Sequence, residues 1–327
     1  MIRSQTGCEK GTRRARMSLS VATIFFLLSL KEKPVAQWVD LHLHSTCSDG
    51  ALSPTELIRR ATAAGLAAVA LADHDNVDGI DEALAAGAEA AVEVLSGVEL
   101  SVVWEDLQDI HLLGYGFDHH HGELQAALQE FRAFREGRNG QIVEAVNRRL
   151  AEEGAPPLDF AAVRRRAKGT FGRPHIALEL MAQKQVRTKE EAFERYLVPC
   201  NVPKRYFPLP EAIALIHRAG GVTSLAHPLL ISRDRSVLRR LFDAFAGLGL
   251  DGIEAYSNQA DNDDTDWLQS EARRRGLLIT GGSDYHGGPE SEIVLGGGRG
   301  NLRVPYACLE AIRTALAQHN HSGTQRD

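Results

Sequence analysis

The spacing of apolar positions along the chain alternates between two patterns, which change twice. From Gln37 to about Gly116, short apolar runs such as "LAAVALA" alternate with segments of helical spacing such as "SPTELIRRATAAG". The second segment also has the residues typical of helix ends, with a serine N-cap, a proline in the first turn and a glycine at the end. Strands that alternate with helices predict parallel strands joined by helical crossovers.

The central part of the chain lacks this alternation. Residues 119–208 show helical spacing and many charges, and no run within them is typical of a strand. From residue 209 to 320 the alternation resumes. The pattern predicts about seven strands in a barrel-like α/β fold built from residues 37–118 and 209–320, with 119–208 inserted as a small helical domain.

The first 36 residues stand apart from this pattern. They place a basic stretch, with Arg13 and Arg14, before an apolar run of about a dozen residues, which is short for a membrane span. One interpretation is a signal peptide that exports the protein. The other, which we favour, is that synthesis begins at Met17 or later. We therefore predict a cytoplasmic protein without a stable membrane anchor and leave residues 1–36 out of the fold.

The composition limits the classes of binding partner and the cellular compartments that we expect for this protein. The net charge of -6 supplies no overall basic surface for long DNA, although a short nucleotide needs only a local basic pocket. Cys8, Cys47, Cys200 and Cys308 are widely scattered and include no C-x-x-C pair. This spacing disfavours a disulfide framework or a thiolate zinc site and indicates a reducing compartment.

One stretch concentrates side chains that bind metals. In "DLHLHSTCSDG", His42 and His44 end a predicted strand, and Asp49 follows in the next loop. Residues i and i+2 of a strand point to the same side, so the two imidazoles project together and Asp49 can fold back toward them. Two imidazoles and a carboxylate suit Zn, Mn or Fe. The alternative is a pair of half-buried polar residues beside a turn aspartate.

Further imidazoles and carboxylates follow the other predicted strands. The pattern places each at a strand's C-terminal end, namely His74, Glu99, His111, His227, Asp284 and His286. In α/β barrels those ends converge on the active site. Singly, each has another explanation, such as a capping carboxylate or a core histidine, but a whole set buried without partners would cost much free energy. Metal ions would satisfy the set, and because it exceeds the needs of one ion, we predict two or three divalent ions.

These motifs resemble a known family. "DLHLHSTCSDG", "ADHD", "GVEL", "DIHLLGY", "AHP" and "GSDYH" occur in the order typical of the polymerase-and-histidinol-phosphatase (PHP) metallophosphoesterases, and the resemblance covers Asp40 to about Gly287. It implies a distorted seven-stranded β/α barrel that binds three ions of Mn, Fe, Zn or Mg. It also implies three ligand sets: His42, His44, Glu99 and Asp284; Glu99, His111 and His227; and Asp49, His74 and His286.

The resemblance also implies a chemistry and a substrate. A water between two ions loses its proton near neutral pH and becomes the nucleophile, so we expect no catalytic group beyond this metal-bound hydroxide. The insert after "HLLGY" resembles that of members that remove the 3′-phosphate of nucleoside 3′,5′-bisphosphates, or that trim short 5′-monophosphorylated RNA in the 5′-to-3′ direction. The expected partner is a small nucleotide or a short RNA 5′ end. Alternatives are a phosphatase of a small non-nucleotide phosphate such as histidinol phosphate, and a non-catalytic metal- or nucleotide-binding module.

A second phosphate on such a substrate needs cations outside the metal ligands, and the insert offers them. The candidates are Arg138, Arg173, His175, Lys204 and Arg205. Arg173 and His175 follow the glycines of "KGTFGRPH", which indicate a special loop. Arginine also offers a planar, bidentate contact to phosphate oxygens. The alternative is that these basic residues only face solvent from short helices.

Overall fold

The computed structural model describes residues 37–166, 172–288 and 291–323. Residues 1–36, to which the signal-peptide and start-site interpretations refer, lie outside the described residues. Within the described ranges the strands are β1 (Trp38–Leu43), β2 (Ala68–Leu71), β3 (Glu93–Trp104), β4 (Leu107–Tyr115), β5 (Phe207–Pro208), β6 (Val222–Leu225), β7 (Gly252–Tyr256), β8 (Leu278–Gly281) and β9 (Val304–Pro305).

These strands form one sheet that curls into a nearly closed barrel. The order is β8-β7-β6-β4-β3-β2-β1-β9, with β5 paired to β3. The segment after β8 closes the barrel, because Tyr285 pairs with Leu43 and its carbonyl accepts a hydrogen bond from His44 N at 3.0 Å. Gly282 permits this approach, since a Cβ there would collide with the backbone of His42. The predicted barrel is confirmed, with seven longer strands and two of two residues each, β5 and β9.

The prediction that strands run parallel, each with a helical crossover, is wrong for β4. This strand is antiparallel to both β3 and β6. Only Glu105 and Asp106 separate β3 from β4, whereas parallel neighbours need a crossover of a dozen or more residues. In consequence Glu99 and His111 lie within their strands, and not at the C-terminal ends where the sequence pattern placed them.

Helices pack on the outside of the barrel, and the first of them has the predicted residues at its N-terminal end. Ser53 is its N-cap, with Oγ accepting from Glu56 N at 3.3 Å, and Pro54 lies in its first turn. No helix among the described residues is long and apolar enough to cross a membrane. In chain order the helices are α1 (Pro54–Ala63), α2 (Ile80–Ala90), α3 (Gly122–Glu152), α4 (Phe160–Arg166), α5 (Arg173–Ala182), α6 (Lys189–Ala192), a π-helical turn (Phe193–Leu197), α7 (Leu209–Arg218), α8 (Pro228–Ile231), α9 (Arg235–Gly247), α10 (Asn262–Arg275) and α11 (Ala307–Gly323).

The long helix α3 contributes to two separate apolar cores. Its first turns bury Leu124 and Leu128 with residues of the barrel. Its later turns bury Ile142 and Val146 in a second cluster formed with the helices that follow. β5, at the end of the proposed insert of residues 119–208, also contacts the barrel, since it pairs with β3. The domain limits at 119 and 208 stay a prediction. The expectation that this range contains no strand is wrong at β5.

Candidate metal centre

The fold brings together all nine of the predicted metal ligands around one buried carboxylate. They come from β1 and the loop after it, the end of β2, the middles of β3 and β4, and the segments after β6 and β8. Glu99, on β3, is fully buried and lies at their centre. The nine are His42, His44, Asp49, His74, Glu99, His111, His227, Asp284 and His286.

One oxygen of Glu99 faces two imidazoles, one from the neighbouring strand β4 and one from the segment after β6. Oε1 lies 2.8 Å from His111 Nδ1 and 2.9 Å from His227 Nε2. His111 points inward from the middle of β4. His227 lies two residues after the end of β6 and has a φ of 26°, a strained conformation for a residue with a side chain. The local backbone thus accepts strain to hold this imidazole toward Glu99.

The other oxygen of Glu99 faces three imidazoles from the first two strands. Oε2 lies 3.0 Å from His74 Nδ1, 3.2 Å from His42 Nε2 and 3.3 Å from His44 Nε2. Asp284 Oδ1 joins them at 3.1 Å from His44 Nε2. Glu99 therefore separates two groups of imidazoles, with one carboxylate oxygen directed at each, which is the arrangement of a carboxylate that bridges two ions.

Three sets of side chains have ligand atoms close enough to share an ion. In each set these atoms lie within 4.8 Å of one another: His42, His44, Glu99 and Asp284; His44, Asp49, His74 and His286; and His74, Glu99 and His111. The first set equals one that the family resemblance implies. The second adds His44 to the expected three, and the third contains His74 in the place of His227. The assignment of individual ions stays a prediction.

The buried polar atoms of this cluster fit metal ions better than they fit one another. Several approach carboxylate oxygens at about 3 Å yet make no hydrogen bond within the described structure, because the rings and carboxylates are not aligned for one. Buried polar atoms without hydrogen bonds are costly, and an ion between them removes that cost. These atoms are His42 Nε2, His44 Nδ1 and Nε2, His74 Nδ1, His111 Nδ1, His227 Nδ1 and Glu99 Oε2.

The charges in the cluster depend on one another. Burial opposes the charge of Glu99, but His74, His111 and His42 overcome this and hold the pKa of the carboxyl well below its usual value. Burial likewise opposes the charge of His74, while Glu99 and Asp49 raise its pKa to about 9. Without ions, protons must therefore balance the carboxylates. Metal binding replaces those protons, since an imidazole ligand must be neutral.

Two further carboxylates support the ligands, and the sequence analysis missed both. Glu254, buried on β7, lies with Oε1 2.9 Å from His42 Nδ1 and accepts from His227 N at 2.7 Å through Oε2. This contact turns Nε2 of His42 toward Glu99. Asp40 accepts from Ser283 N and from Gly296 N, both at 2.8 Å, and burial raises its pKa to about 6. The available signal was an acidic residue within an otherwise apolar strand, as in "GIEAY".

A cavity of about 320 Å³ opens directly from this cluster toward the inserted helices. Asp49, His74 and His111 line its barrel side. All five predicted substrate residues line the opposite side: Arg138, Arg173, His175, Lys204 and Arg205. The stretch 167–171, which includes most of the predicted glycine loop, lies outside the described residues. The prediction missed Arg135 and the three phenylalanines that also line the cavity, Phe131, Phe134 and Phe193.

The cavity cations differ in how firmly the protein holds them. Arg138 is buried and donates to Val202 O at 2.7 Å and to Asn201 Oδ1 at 2.9 Å. Arg173 shares the same Asn201 oxygen at 3.3 Å and lies over the ring of Phe193. Burial and the neighbouring Arg173 and Arg135 lower the pKa of Arg138, which shows how closely the positive charges are crowded. A group of this kind favours an anion between its members.

Two of the remaining basic residues, Lys204 and Arg205, already have carboxylate partners. Lys204 pairs with Asp109, and Arg205 pairs with Glu130 at 2.8 Å. Both side chains are 43% exposed, so these pairs stabilise the fold little and exchange readily for another anion. Burial lowers the pKa of His175, which begins α5 together with Arg173. Arg173, Arg138 and His175 therefore form the more enclosed part of the wall.

Arg135 links this wall to the metal ligands. Its guanidinium donates to Asp75 Oδ2 at 2.6 Å, and Asp75 also accepts from Ser101 N and Oγ. Asp75 follows His74 directly and has a φ of 48°. Helix α3 thus holds the loop that presents His74.

Comparison with known proteins agrees with this geometry. A family model described as "PHP domain" matches residues 40–197. A 5′-3′ exoribonuclease of Haemophilus influenzae is 38% identical over 250 residues, which are 76% of this chain and 89% of that protein. A 3′,5′-nucleoside bisphosphate phosphatase of Chromobacterium violaceum is 36% identical over 251 residues, which are 76% of this chain and 87% of that protein.

A solved structure shows the same fold. A protein from Bifidobacterium adolescentis, assigned as a metal-dependent phosphoesterase, superposes with a TM-score of 0.69 at 31% identity. The match covers 86% of this chain and 96% of that one.

Proposed function

Because this chain belongs to the PHP family and is a hydrolase of phosphate esters, we propose that its substrates are nucleoside 3′,5′-bisphosphates or short RNA with a 5′-monophosphate. From the bisphosphate it removes the 3′-phosphate. From RNA it releases nucleotides in the 5′-to-3′ direction. The names of two relatives support these two activities, each of which is stated for that relative.

The nine clustered side chains would hold two or three divalent ions of the Mn, Fe, Zn or Mg group. Such ions, when bound, supply a nucleophile from water at neutral pH and stabilise charge on phosphoryl oxygens. The protein itself positions the side chains that would bind these ions. Glu254 and the strained backbone at Asp284, whose φ is 53°, hold His42 and this carboxylate in one geometry before substrate arrives.

The observation that carries the proposal is the shared cavity. Ligands of the metal centre form one side of it, and the crowded cations of the insert form the other. A substrate that fills the cavity must then carry negative charge at both ends. Nucleoside bisphosphates and 5′-phosphorylated dinucleotides have two phosphates separated by a sugar, whereas a simple monoester has only one. We assign the distal phosphate to Arg173 and His175, with Arg138 behind them.

The phenylalanines of the cavity support a nucleoside between the two phosphates. Phe131, Phe134 and Phe193 offer apolar rings on the insert side, and aromatic faces stack on bases without requiring one sequence. We also propose a cytoplasmic location.

Phosphate release with Mn²⁺ tests the proposal. A nucleoside 3′,5′-bisphosphate, a short 5′-phosphorylated RNA, histidinol phosphate and p-nitrophenyl phosphate would be compared as substrates of the full chain. We expect the first two to have kcat/KM values far above those of the others. Preference for histidinol phosphate would contradict the substrate assignment, and no hydrolysis of any of the four would contradict the assignment of catalysis itself.

A further inference from the structure

A second group of imidazoles lies outside the metal centre, where the loop after β4 meets the first turn of α2. His119 Nε2 lies 2.9 Å from Asp81 Oδ1, and His120 Nε2 lies 3.5 Å from the same oxygen. The centroids of the two rings are 4.1 Å apart. These three residues are all distinct from the nine that surround Glu99.

A hydrogen bond explains only part of this arrangement. His119 is well placed to bond to Asp81, but the second imidazole converges on the same oxygen at a longer distance. Two protonated rings so close together would repel each other. An ion that accepts a lone pair from each ring and from the carboxylate accounts for the convergence of all three. In tetrahedral zinc sites, bonds of about 2.0–2.2 Å place ligand atoms roughly 3.3–3.6 Å apart. The 3.5 Å between His120 Nε2 and Asp81 Oδ1 lies in this range, while the 2.9 Å between His119 Nε2 and the same oxygen is the shorter distance of a direct hydrogen bond.

The backbone around the two histidines is already fixed. Asp118 Oδ1 accepts from His120 N at 2.9 Å, and Asp118 N donates to Ala219 O at 2.8 Å. His119 O accepts from the side chain of Gln125. The side chain of His119 is only 14% exposed, and Asp81 lies on a helix. The backbone that carries the three residues is therefore ordered, and the side chains of Asp81 and His120 are 69% and 66% exposed.

We propose that Asp81, His119 and His120 bind one divalent ion of the zinc type, with water completing its coordination. Two imidazoles and one carboxylate suit Zn²⁺, Ni²⁺ or Cu²⁺ better than Mg²⁺, which prefers oxygen. The ion would join the start of α2 to the loop that leads into α3, the helix that carries Arg135 and Arg138. Its effect is structural, because it fixes the position of the cavity wall relative to the barrel.

Zinc content measured on the full chain tests this site. The protein would be stripped with chelator, equilibrated over a range of buffered free Zn²⁺ and analysed by mass spectrometry of the metal. Asp81→Ala and His120→Ala remove proposed ligands. His121→Asn is the matched control, because it changes the adjacent imidazole, which is not part of the group. All of these variants should hydrolyse p-nitrophenyl phosphate with Mn²⁺ as the wild type does.

We expect each ligand variant to bind one equivalent of Zn²⁺ fewer than the wild type, and the control to bind the same amount. The rise in Tm that Zn²⁺ produces should also be smaller in both ligand variants. Equal zinc content in Asp81→Ala, His120→Ala and wild type would overturn the proposal. Loss of the same equivalent in His121→Asn would overturn this choice of ligands.

Discussion

The two sides of the cavity differ in how deeply their side chains are buried and in how the protein holds them. On the barrel side, Glu99, His42 and His227 are buried, and Glu254 contacts both imidazole-bearing residues. On the insert side, Lys204 and Arg205 are half exposed and paired with the protein's own carboxylates. The first side is arranged before any substrate arrives, whereas the second must exchange its partners for a phosphate. We therefore propose that the barrel supplies chemistry that serves many phosphate esters, and that the insert selects among them.

The largest effects should follow from removing a ligand on the barrel side. His42→Ala or Asp284→Ala should abolish hydrolysis of every substrate, since each removes a group from the same proposed ion. The loss should exceed the roughly 10- to 100-fold cost of removing a residue that merely supports a ligand. Activity with added Mn²⁺ and circular dichroism would be measured together. Full activity in either folded variant would refute the metal assignment.

A matched control for these variants is His217→Asn. His217 also contacts a carboxylate, Asp251 at 2.7 Å, but that residue precedes β7 at the end of the strand away from the cluster. This variant should retain catalysis. A similar loss of activity in it would indicate that general destabilisation, and not metal binding, explains the other two.

Glu254→Gln should give the next largest effect. The amide keeps the shape of the side chain but removes the charge that holds His42. We expect Mn²⁺ affinity to fall by roughly 10- to 100-fold, with much of the activity restored at high Mn²⁺. Calorimetric titration of the stripped protein with Mn²⁺ gives the affinity directly. Unchanged affinity would show that His42 does not need this contact.

A smaller effect should distinguish two arginines of α3. Arg135 pairs with Asp75, whose side chain is 3% exposed, while Arg132 pairs with Asp78, whose side chain is 49% exposed. Arg135→Met leaves a buried carboxylate short of one partner and should cost about 1–3 kcal/mol of unfolding free energy. Arg132→Met should cost less than about 1 kcal/mol. Urea unfolding of both variants tests this order, and equal losses would contradict it.

Deleting residues 1–36 should have the smallest effect. β1 begins at Trp38, and the first proposed ligand is His42, so we expect the barrel and its cluster to form without residues 1–36. We expect unchanged kcat and KM for the truncated protein. A loss of activity would instead give this segment a role in the fold. Fractionation of cells that express the full chain would separately test the cytoplasmic location, which a cleaved, exported product would contradict.

The sequence predicts some parts of this molecule well for a physical reason. His42 and His44 are two residues apart on a strand, so the strand itself places them on one side, and parallel strands bring their loops to one edge. The antiparallel pairing of β3 with β4 is harder to predict, because the spacing of apolar residues does not show in which direction a strand runs. The sequence predicts Glu99 and His111 as ligands, but it does not predict that they lie in the middles of their strands.

Which ligand each supporting group contacts cannot be predicted from the sequence. Glu254 lies 212 positions from His42, and Arg135 lies 60 positions from Asp75. Neither belongs to a motif with characteristic spacing, so nothing in the sequence connects it to its partner. Such contacts arise only when the barrel closes and α3 packs beside it. The cavity that joins the cluster to the insert is likewise a property of the folded chain.

The proposal that the barrel supplies the chemistry and the insert the selectivity is tested most directly by Arg173→Ala, assayed on two substrates. Arg173 lines the cavity and lies over Phe193, and its proposed partner is the second phosphate of a bisphosphate. Loss of one charge-assisted contact costs about 1.5–3 kcal/mol, so kcat/KM for a nucleoside 3′,5′-bisphosphate should fall roughly ten- to a hundredfold, chiefly through KM. Hydrolysis of p-nitrophenyl phosphate, which has no second phosphate, should barely change. Equal losses on both substrates would place Arg173 at the reacting phosphate, and no loss on either would contradict the assignment of selectivity to the insert.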